Sequence, residues 1–502
     1  MSSLRKLAGD TMLYGLSSII GRTLNYLLFP LHTAVFSSGN YGIITELYAF
    51  AAFLNVVYVY GLETAYFRFA SKYKEDEPIV YSTAVWSIII TSITFTFLLF
   101  IFSEDIVNWM GYEGQAYFIQ WFALILAIDA ILAIPFANLR YREKALFFAS
   151  AKLINIGINV AINVFFLFFC YKIYNQGWLP DLLPFVKSVY NPELGVEYVF
   201  LANLIANGSL MFILFSQFKR LSFRINWDYL VKMLKYGYPI LFTGLALVTN
   251  EMLSRSALKY WLPEGFYPDF TNQEILGIFG GVFKLSVFMT LGIQAFRYAA
   301  EPFFFKKSEQ KNSPELFSNV MTWFVIFGCF VYFSISLNLD ILQFLLRREE
   351  YRTAMHIVPI LLLGGLFMGI NYNLSVWYKL TDKTSYGMWI TIFGAILTVF
   401  LNFILIPIYG YTGSAFVSLI AYFLMSAFSY ILGKKHYPIP YKTLKLLAYI
   451  LITFLVVNLL SMVKINNLVL SFIFHLICIL IFILTIYWIE RKNIARFSQH
   501  SE

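Results

Sequence analysis

About fourteen apolar runs, each near or beyond the roughly 20 residues that a helix needs to cross a bilayer, follow one another along this chain with little between them. They lie near 11–36, 42–69, 80–102, 116–138, 148–171, 197–218, 234–258, 276–300, 319–345, 354–378, 385–406, 411–432, 443–462 and 468–489. In hydrocarbon every backbone N–H and C=O must bond within its own segment or within a closed barrel. Runs of this length and uniform apolarity therefore predict an all-α polytopic membrane protein of about 14 transmembrane helices. Composition agrees: 13% of the residues are charged, against about 25% in soluble domains. The first run is long and lacks a small-residue cleavage site, so it is expected to stay as span one.

The net charge of +9 is explained by topology rather than by nucleic acid. Lys and Arg concentrate in cytoplasmic loops. If the N-terminus is inside, most of them fall on cytoplasmic segments. Only Lys172, Lys187, Lys259, Arg347, Arg348, Arg352 and Lys464 fall outside. Both termini are expected in the cytoplasm; the Arg347/Arg348/Arg352 cluster breaks the rule. Cys170, Cys329 and Cys478 lie singly in apolar runs and read as packing residues, and neither they nor the histidines form a metal spacing. No loop is large enough for a soluble catalytic domain.

A faint internal repeat organises the spans. Span two opens Gly42-Ile43 and reaches Tyr48; span eight opens Gly277-Ile278 and reaches Phe283 at the same offset. This suggests two six-helix lobes, 1–218 and 234–432, joined by a basic cytoplasmic link at 219–233. Both would enter the membrane in the same direction, as a parallel repeat. Residues 433–502 would add spans thirteen and fourteen and a cytoplasmic tail.

Charges inside spans are costly and mark cavities, partners or helix ends. The intramembrane cations are Arg22, Arg68, Lys152, Arg255, Lys284 and Arg297. Arg22 lies near mid-membrane, Lys284 about seven residues from the outer end of span eight, and Arg255 near the outer end of span seven, judged at about 1.5 Å per residue. Arg68 and Arg297 close the cytoplasmic ends of spans two and eight. Such residues could line a cationic cavity, or make separate salt bridges and snorkel. On span five, Lys152, Asn155, Asn159 and Asn163 share one face, suited either to lining a polar cavity or to bonding between helices. The acids Glu46, Glu63, Asp129, Glu251 and Asp340 are candidates for ion coupling or charge pairing; Glu251 can pair with Arg255 at i,i+4. No paired carboxylates, phosphate-cradling glycine loop or nucleophile triad appears, so no catalytic residue is assigned.

Several segments resemble bacterial polysaccharide flippases. These are Tyr41-Gly42-Ile43 with Gly61-Leu62-Glu63-Thr64-Ala65-Tyr66-Phe67-Arg68, Leu139-Arg140-Tyr141-Arg142-Glu143-Lys144-Ala145, and Asn371 to Lys379 with Thr381-Asp382-Lys383. The fourth is Asn402-Phe403-Ile404-Leu405-Ile406-Pro407 followed by Gly410, Gly413 and Ala415, where Pro407 is expected to stop a helix and the glycines to permit a tight turn. The resemblance spans nearly the whole chain. It implies the oligosaccharide-lipid flippase branch of the multidrug/oligosaccharidyl-lipid/polysaccharide exporter superfamily, with two lobes around a central cavity and alternating access.

By the same resemblance, the substrate would be a polyprenyl-diphosphate-linked oligosaccharide, a polysaccharide or lipopolysaccharide precursor. It would move from the inner to the outer leaflet of the bacterial cytoplasmic membrane. Arg22 and Lys284 would hold the diphosphate, with Arg255 as a possible third contact and Arg68 and Arg297 as further substrate-binding cations of the cavity. Membrane lipid and polysaccharide assembly proteins are the implied partners, with coupling to H+, Na+ or the membrane potential. No nucleic acid, metal or cofactor is implied. The competing readings are an ion-coupled small-molecule or multidrug exporter on the same fold and a membrane-embedded glycan polymerase or ligase.

Overall fold

The computed structural model describes residues 19–21, 23, 24, 26–307, 312–463 and 465–499. Among these, the ordered elements are helices and none is a strand. Ten helices are long and apolar enough to cross a membrane. Four further observations account for the rest of the fourteen expected spans. The segment Thr384–His436 is two helices meeting at Gly410, and so holds two of them. Glu197–Ile213 is apolar but shorter. Trp227–Trp261 is long and more polar. Span one is described in part, with residues 26–35 helical.

The chain divides into two compact units, Met1–Gly280 and Gly281–Glu502. In the first, α1 (26–35) leads to α2 (Ser38–Val59), α3 (Leu62–Lys72), α4 (Glu77–Ile101), α5 (Ser103–Trp109), α6 (Tyr117–Tyr141) and α7 (Ala145–Val164). A π-helical stretch, Phe165–Cys170, carries α7 into α8 (Tyr171–Gln176). Then follow α9 (Leu183–Val189), α10 (Glu197–Ile213), α11 (Phe215–Phe218), α12 (Trp227–Trp261) and the start of α13 (Asn272–Lys307). Helix α4 packs on α6, α10 on α7, and α2 on α12. Buried Ala65, Ala84, Ala130 and Ala137 let α3, α4 and α6 approach closely around Tyr66 and Tyr81.

Span two is expected as one helix, 42–69, but is two. Tyr60 and Gly61 both take positive φ, 36° and 74°, and separate α2 from α3. Gly61 is required there twice over, because a Cβ would also stand 2.5 Å from the Gly237 carbonyl oxygen of α12. At the other end of α2 the backbones of Gly42 and Gly277 meet. A Cβ on Gly277 would lie 1.8 Å from the Ser38 oxygen and 2.8 Å from the Gly42 nitrogen.

The basic link is strapped along α4. Ser222 N donates to Ser82 Oγ at 3.0 Å and Asn226 N to Thr83 Oγ1 at 3.0 Å. Trp86 Nε1 donates to the Ser222 carbonyl at 3.0 Å. Asn226 then caps α12 by accepting from Tyr229 N.

The second unit runs from within α13 through α14 (Ser313–Leu337), α15 (Leu339–Leu342), a 3-10 segment (Glu349–Ile357), α16 (Val358–Leu374), α17 (Val376–Leu380), α18 (Thr384–His436), α19 (Thr443–Leu460) and α20 (Leu468–Gln499). Helix α16 packs along α18, and α14 meets α16, α19 and α20. The last two helices are tied to each other where Lys445 and Tyr449 both meet the buried Glu490. They are tied to α14 by the stack of Phe333 on Phe482, ring centres 4.8 Å apart. Helix α18 does not stop at Pro407. It runs through the proline and turns at Gly410 (φ 58°, ψ −138°), a conformation open essentially to glycine alone.

Candidate functional site

Helix α2 carries Glu46 into the interior of the first unit, where it is fully buried. Ionised carboxylates survive burial only when paired and hydrogen-bonded. Lys259, at the end of α12, meets Glu46 at 2.7 Å. The Tyr112 and Tyr260 hydroxyls donate to the same carboxylate. Lys259 also donates to the Met110 carbonyl at 2.6 Å and lies 4.2 Å from the Tyr112 ring centre. Trp109 stacks on Tyr260 at 5.1 Å. One acid thus gathers α2, the turn after α5 and the end of α12. In the same unit, twelve apolar residues including Leu47, Phe50, Trp109 and Phe122 line a cavity of about 240 Å³.

The other named acids are also engaged. Glu63 pairs with Arg140. Asn207 Nδ2 donates to Asp129 Oδ1 at 2.8 Å, and Asn155 Nδ2 donates to Asn207 Oδ1 at 3.0 Å, linking α6, α10 and α7. Nearby Lys152 lies over the Phe136 ring at 4.2 Å. Asn163 is buried and donates to the Asn159 carbonyl at 2.9 Å while its Oδ1 stands 3.1 Å from His32 Nε2. The asparagine face of span five is thus engaged at Asn155 and Asn163 in bonds within and between helices.

The structure distributes the expected cations over both units. In the first, Arg68 is exposed and stacks 4.3 Å over the Tyr236 ring, and Arg255 sits half-buried on α12, four residues after half-buried Glu251. In the second, Lys284 is half-buried on α13, and Arg297 lies 4.8 Å over the Tyr372 ring. Arg22 lies outside the described residues. Asp340, on α15, accepts from Ser471 and lies 3.7 Å from His475. Among the described residues no cluster of His, Cys, Asp and Glu could hold a metal.

The sequence alone does not single out Lys259, Tyr112 or Tyr260, which are far from Glu46 in sequence. The Arg140 to Lys144 segment is structural: Arg142 Nη2 meets buried Glu77 at 2.8 Å, and Asn138 Nδ2 reaches Glu77 at 2.9 Å and Tyr66 at 2.6 Å.

No family model matches the sequence. No curated protein matches it either. Solved structures do. A lipid II flippase, MurJ, in an inward closed conformation superposes with a TM-score of 0.70 at 14% identity, over 96% of this chain and 100% of that one. An inward-facing multidrug-resistance MATE transporter of the MOP superfamily gives 0.57 at 13% identity, over 85% and 94%. A Vibrio cholerae MATE transporter gives 0.57 at 12% identity, over 87% and 98%. The chain shares its fold with these transporters. It is a multi-pass membrane protein in the architecture used by these transporters. The flippase structure matches a larger share of this chain than either MATE transporter does.

Proposed function

We propose that this protein is a flippase for a polyprenyl-diphosphate-linked oligosaccharide, moving it from the inner to the outer leaflet by alternating access. The observation that carries this reading is the full-length likeness to a lipid II flippase, taken with basic residues on the membrane-spanning helices. A diphosphate carries two or more negative charges. In a medium of low dielectric, Arg and Lys neutralise it far more strongly than in water. Arg22, Lys284 and Arg255 are assigned to the diphosphate, and Arg68 and Arg297 to its path from the cytoplasmic side. The lobes 1–218 and 234–432 move as bodies about the link 219–233. Both termini are cytoplasmic and the membrane is the bacterial inner membrane. Loci for polysaccharide assembly supply its partners.

The second reading, an ion-coupled exporter of small molecules on the same fold, is favoured by one observation. Asp129, Asn207 and Asn155 make a continuous polar chain inside the first unit, which could carry a proton or Na+. The same chain can couple the flippase to H+, Na+ or the membrane potential.

Deletion of the gene followed by lipid extraction tests the proposal. A polyprenyl-linked glycan intermediate is expected to accumulate and to clear when the wild-type chain is restored. A lipid profile unchanged by deletion, with a lost drug-efflux phenotype, would favour the second reading.

A further inference from the structure

Span five is longer than the hydrocarbon is thick. Helix α7 alone runs 20 residues, from Ala145 to Val164, about what the hydrocarbon requires. It starts beside Lys144, which the charge bias of the sequence puts on the cytoplasmic side. The π-helical stretch and α8 therefore carry the chain past the hydrocarbon, to the headgroup level of the outer leaflet. There Gly177 (φ 66°) ends α8, and the Trp178 N–H turns back to donate to the Lys172 carbonyl at 3.4 Å. A 3-10 turn, Pro180–Leu182, then leads into α9.

Aromatic stacks hold this segment at that level by both of its ends. Trp178 stacks on Phe169 with ring centres 5.7 Å apart. Tyr190, which follows α9, stacks on Tyr198 at 5.4 Å, and Tyr198 stacks on Phe166 at 4.4 Å. Both ends thus rest on the π-helical stretch, and the segment does not rise away into water. Lys172 lies 4.4 Å from the Phe168 ring centre and 5.9 Å from that of Trp178. Tryptophan, tyrosine and a lysine laid along aromatic rings are what the membrane–water boundary selects.

Between these anchors α9 presents three faces. Val186 is 2% exposed and Tyr190 is buried, so their side meets the protein. Leu182, Phe185 and Val189, spaced i, i+3, i+7, are 47%, 56% and 42% exposed. Lys187 is exposed too, about 160° around the helix from Phe185 at about 100° per residue, and exposed Ser188 follows it. A contiguous exposed apolar stripe marks contact with another protein or with a membrane. At this depth the surrounding medium is the headgroup–acyl boundary, which suits a helix with one apolar and one basic face.

We infer that residues 178–190 form an interfacial anchor that lies in the plane of the outer leaflet and binds phospholipid. Leu182, Phe185 and Val189 dip among the upper acyl carbons, while Lys172 and Lys187 meet phosphate oxygens of the headgroups. The anchor fixes the outer end of span five to one leaflet. It needs only that the chain spans a membrane, and it stands apart from the flippase reading.

Nitroxide depth measurements on the full-length protein in phospholipid nanodiscs test this. One label is placed by Phe185→Cys and another by Lys187→Cys. The parent chain, carried through the same labelling, corrects for Cys170, Cys329 and Cys478. Collisions with oxygen, which concentrates in the acyl region, are compared with collisions with a water-soluble nickel chelate. The label at 185 should meet oxygen preferentially and sit about 5–10 Å deeper than the label at 187. Leu182→Cys should read as deep as Phe185→Cys, and replaces it if that variant folds poorly. Equal access of the nickel chelate to 185 and 187 would place the helix in water and overturn the anchor. A label at 185 shielded from both reagents would mean that protein, a second copy or a partner, covers the stripe, and would overturn the lipid assignment.

Discussion

Glu46 and Lys259, 213 residues apart in sequence, form a 2.7 Å ion pair with the acid fully buried. The pair draws the end of α12 onto the start of α2, and two tyrosine hydroxyls complete the shell of the carboxylate. Removing one partner of such a pair leaves a buried charge uncompensated, at a cost of about 3–5 kcal/mol. Glu46→Gln should therefore lower the melting temperature of the purified protein markedly. Replacing both partners, as Glu46→Gln with Lys259→Met, should cost less than Glu46→Gln alone. An unchanged melting temperature in Glu46→Gln would show that the pair contributes nothing.

The same cluster lies at the ends of spans that the charge bias puts on the outer side. In a rocking transporter those ends must part for substrate to leave. Cysteine pairs across the outer ends of spans one and seven should, when cross-linked, stop glycan export, and reduction should restore it. Full export with the cross-link closed would exclude rocking of this kind.

The proposed function gives the diphosphate to Arg22 and Lys284. A charge-assisted hydrogen bond is worth about 1.5–3 kcal/mol, so loss of one should weaken substrate binding roughly ten- to a hundredfold. Arg22→Gln and Lys284→Gln should still reach the membrane, since removing an intramembrane charge lowers the insertion cost. Lys284→Arg should retain part of the activity. Arg22→Lys should not, if Arg22 grips two oxygens at once. Wild-type export by a well-expressed double Gln variant rules this role out.

Topology has its own check. Reporter fusions after Glu502 and within 104–114 should report opposite sides of the membrane. The same side for both would end the fourteen-span arrangement.

Helix placement was legible because apolar run length is a local property, and the fold bears it out. What sequence could not give were events set by close contact. Span two breaks at Tyr60–Gly61 because α12 arrives against it at Gly237. Pro407 looks like a helix stop, yet α18 passes it and turns at Gly410. Site residues fared similarly. The acids could be named from their cost in a membrane, but their partners could not: Lys259 read as a loop lysine, and Arg140, which meets Glu63, as one more cytoplasmic charge.

The crossing of Gly42 and Gly277 carries a consequence for how this chain can change. Every single-base substitution that alters a glycine codon introduces a side chain or ends the protein. At Gly277 even a methyl group would meet the Ser38 oxygen at 1.8 Å, and the backbones there cannot part without disturbing the start of α2, one turn from Glu46. No sequence of small steps leads away from this pair. Residues lining a cavity can be exchanged one at a time for others of similar volume. Under the flippase reading, variation toward new cargoes falls on the cavity walls, around a crossing point that inheritance must copy unaltered.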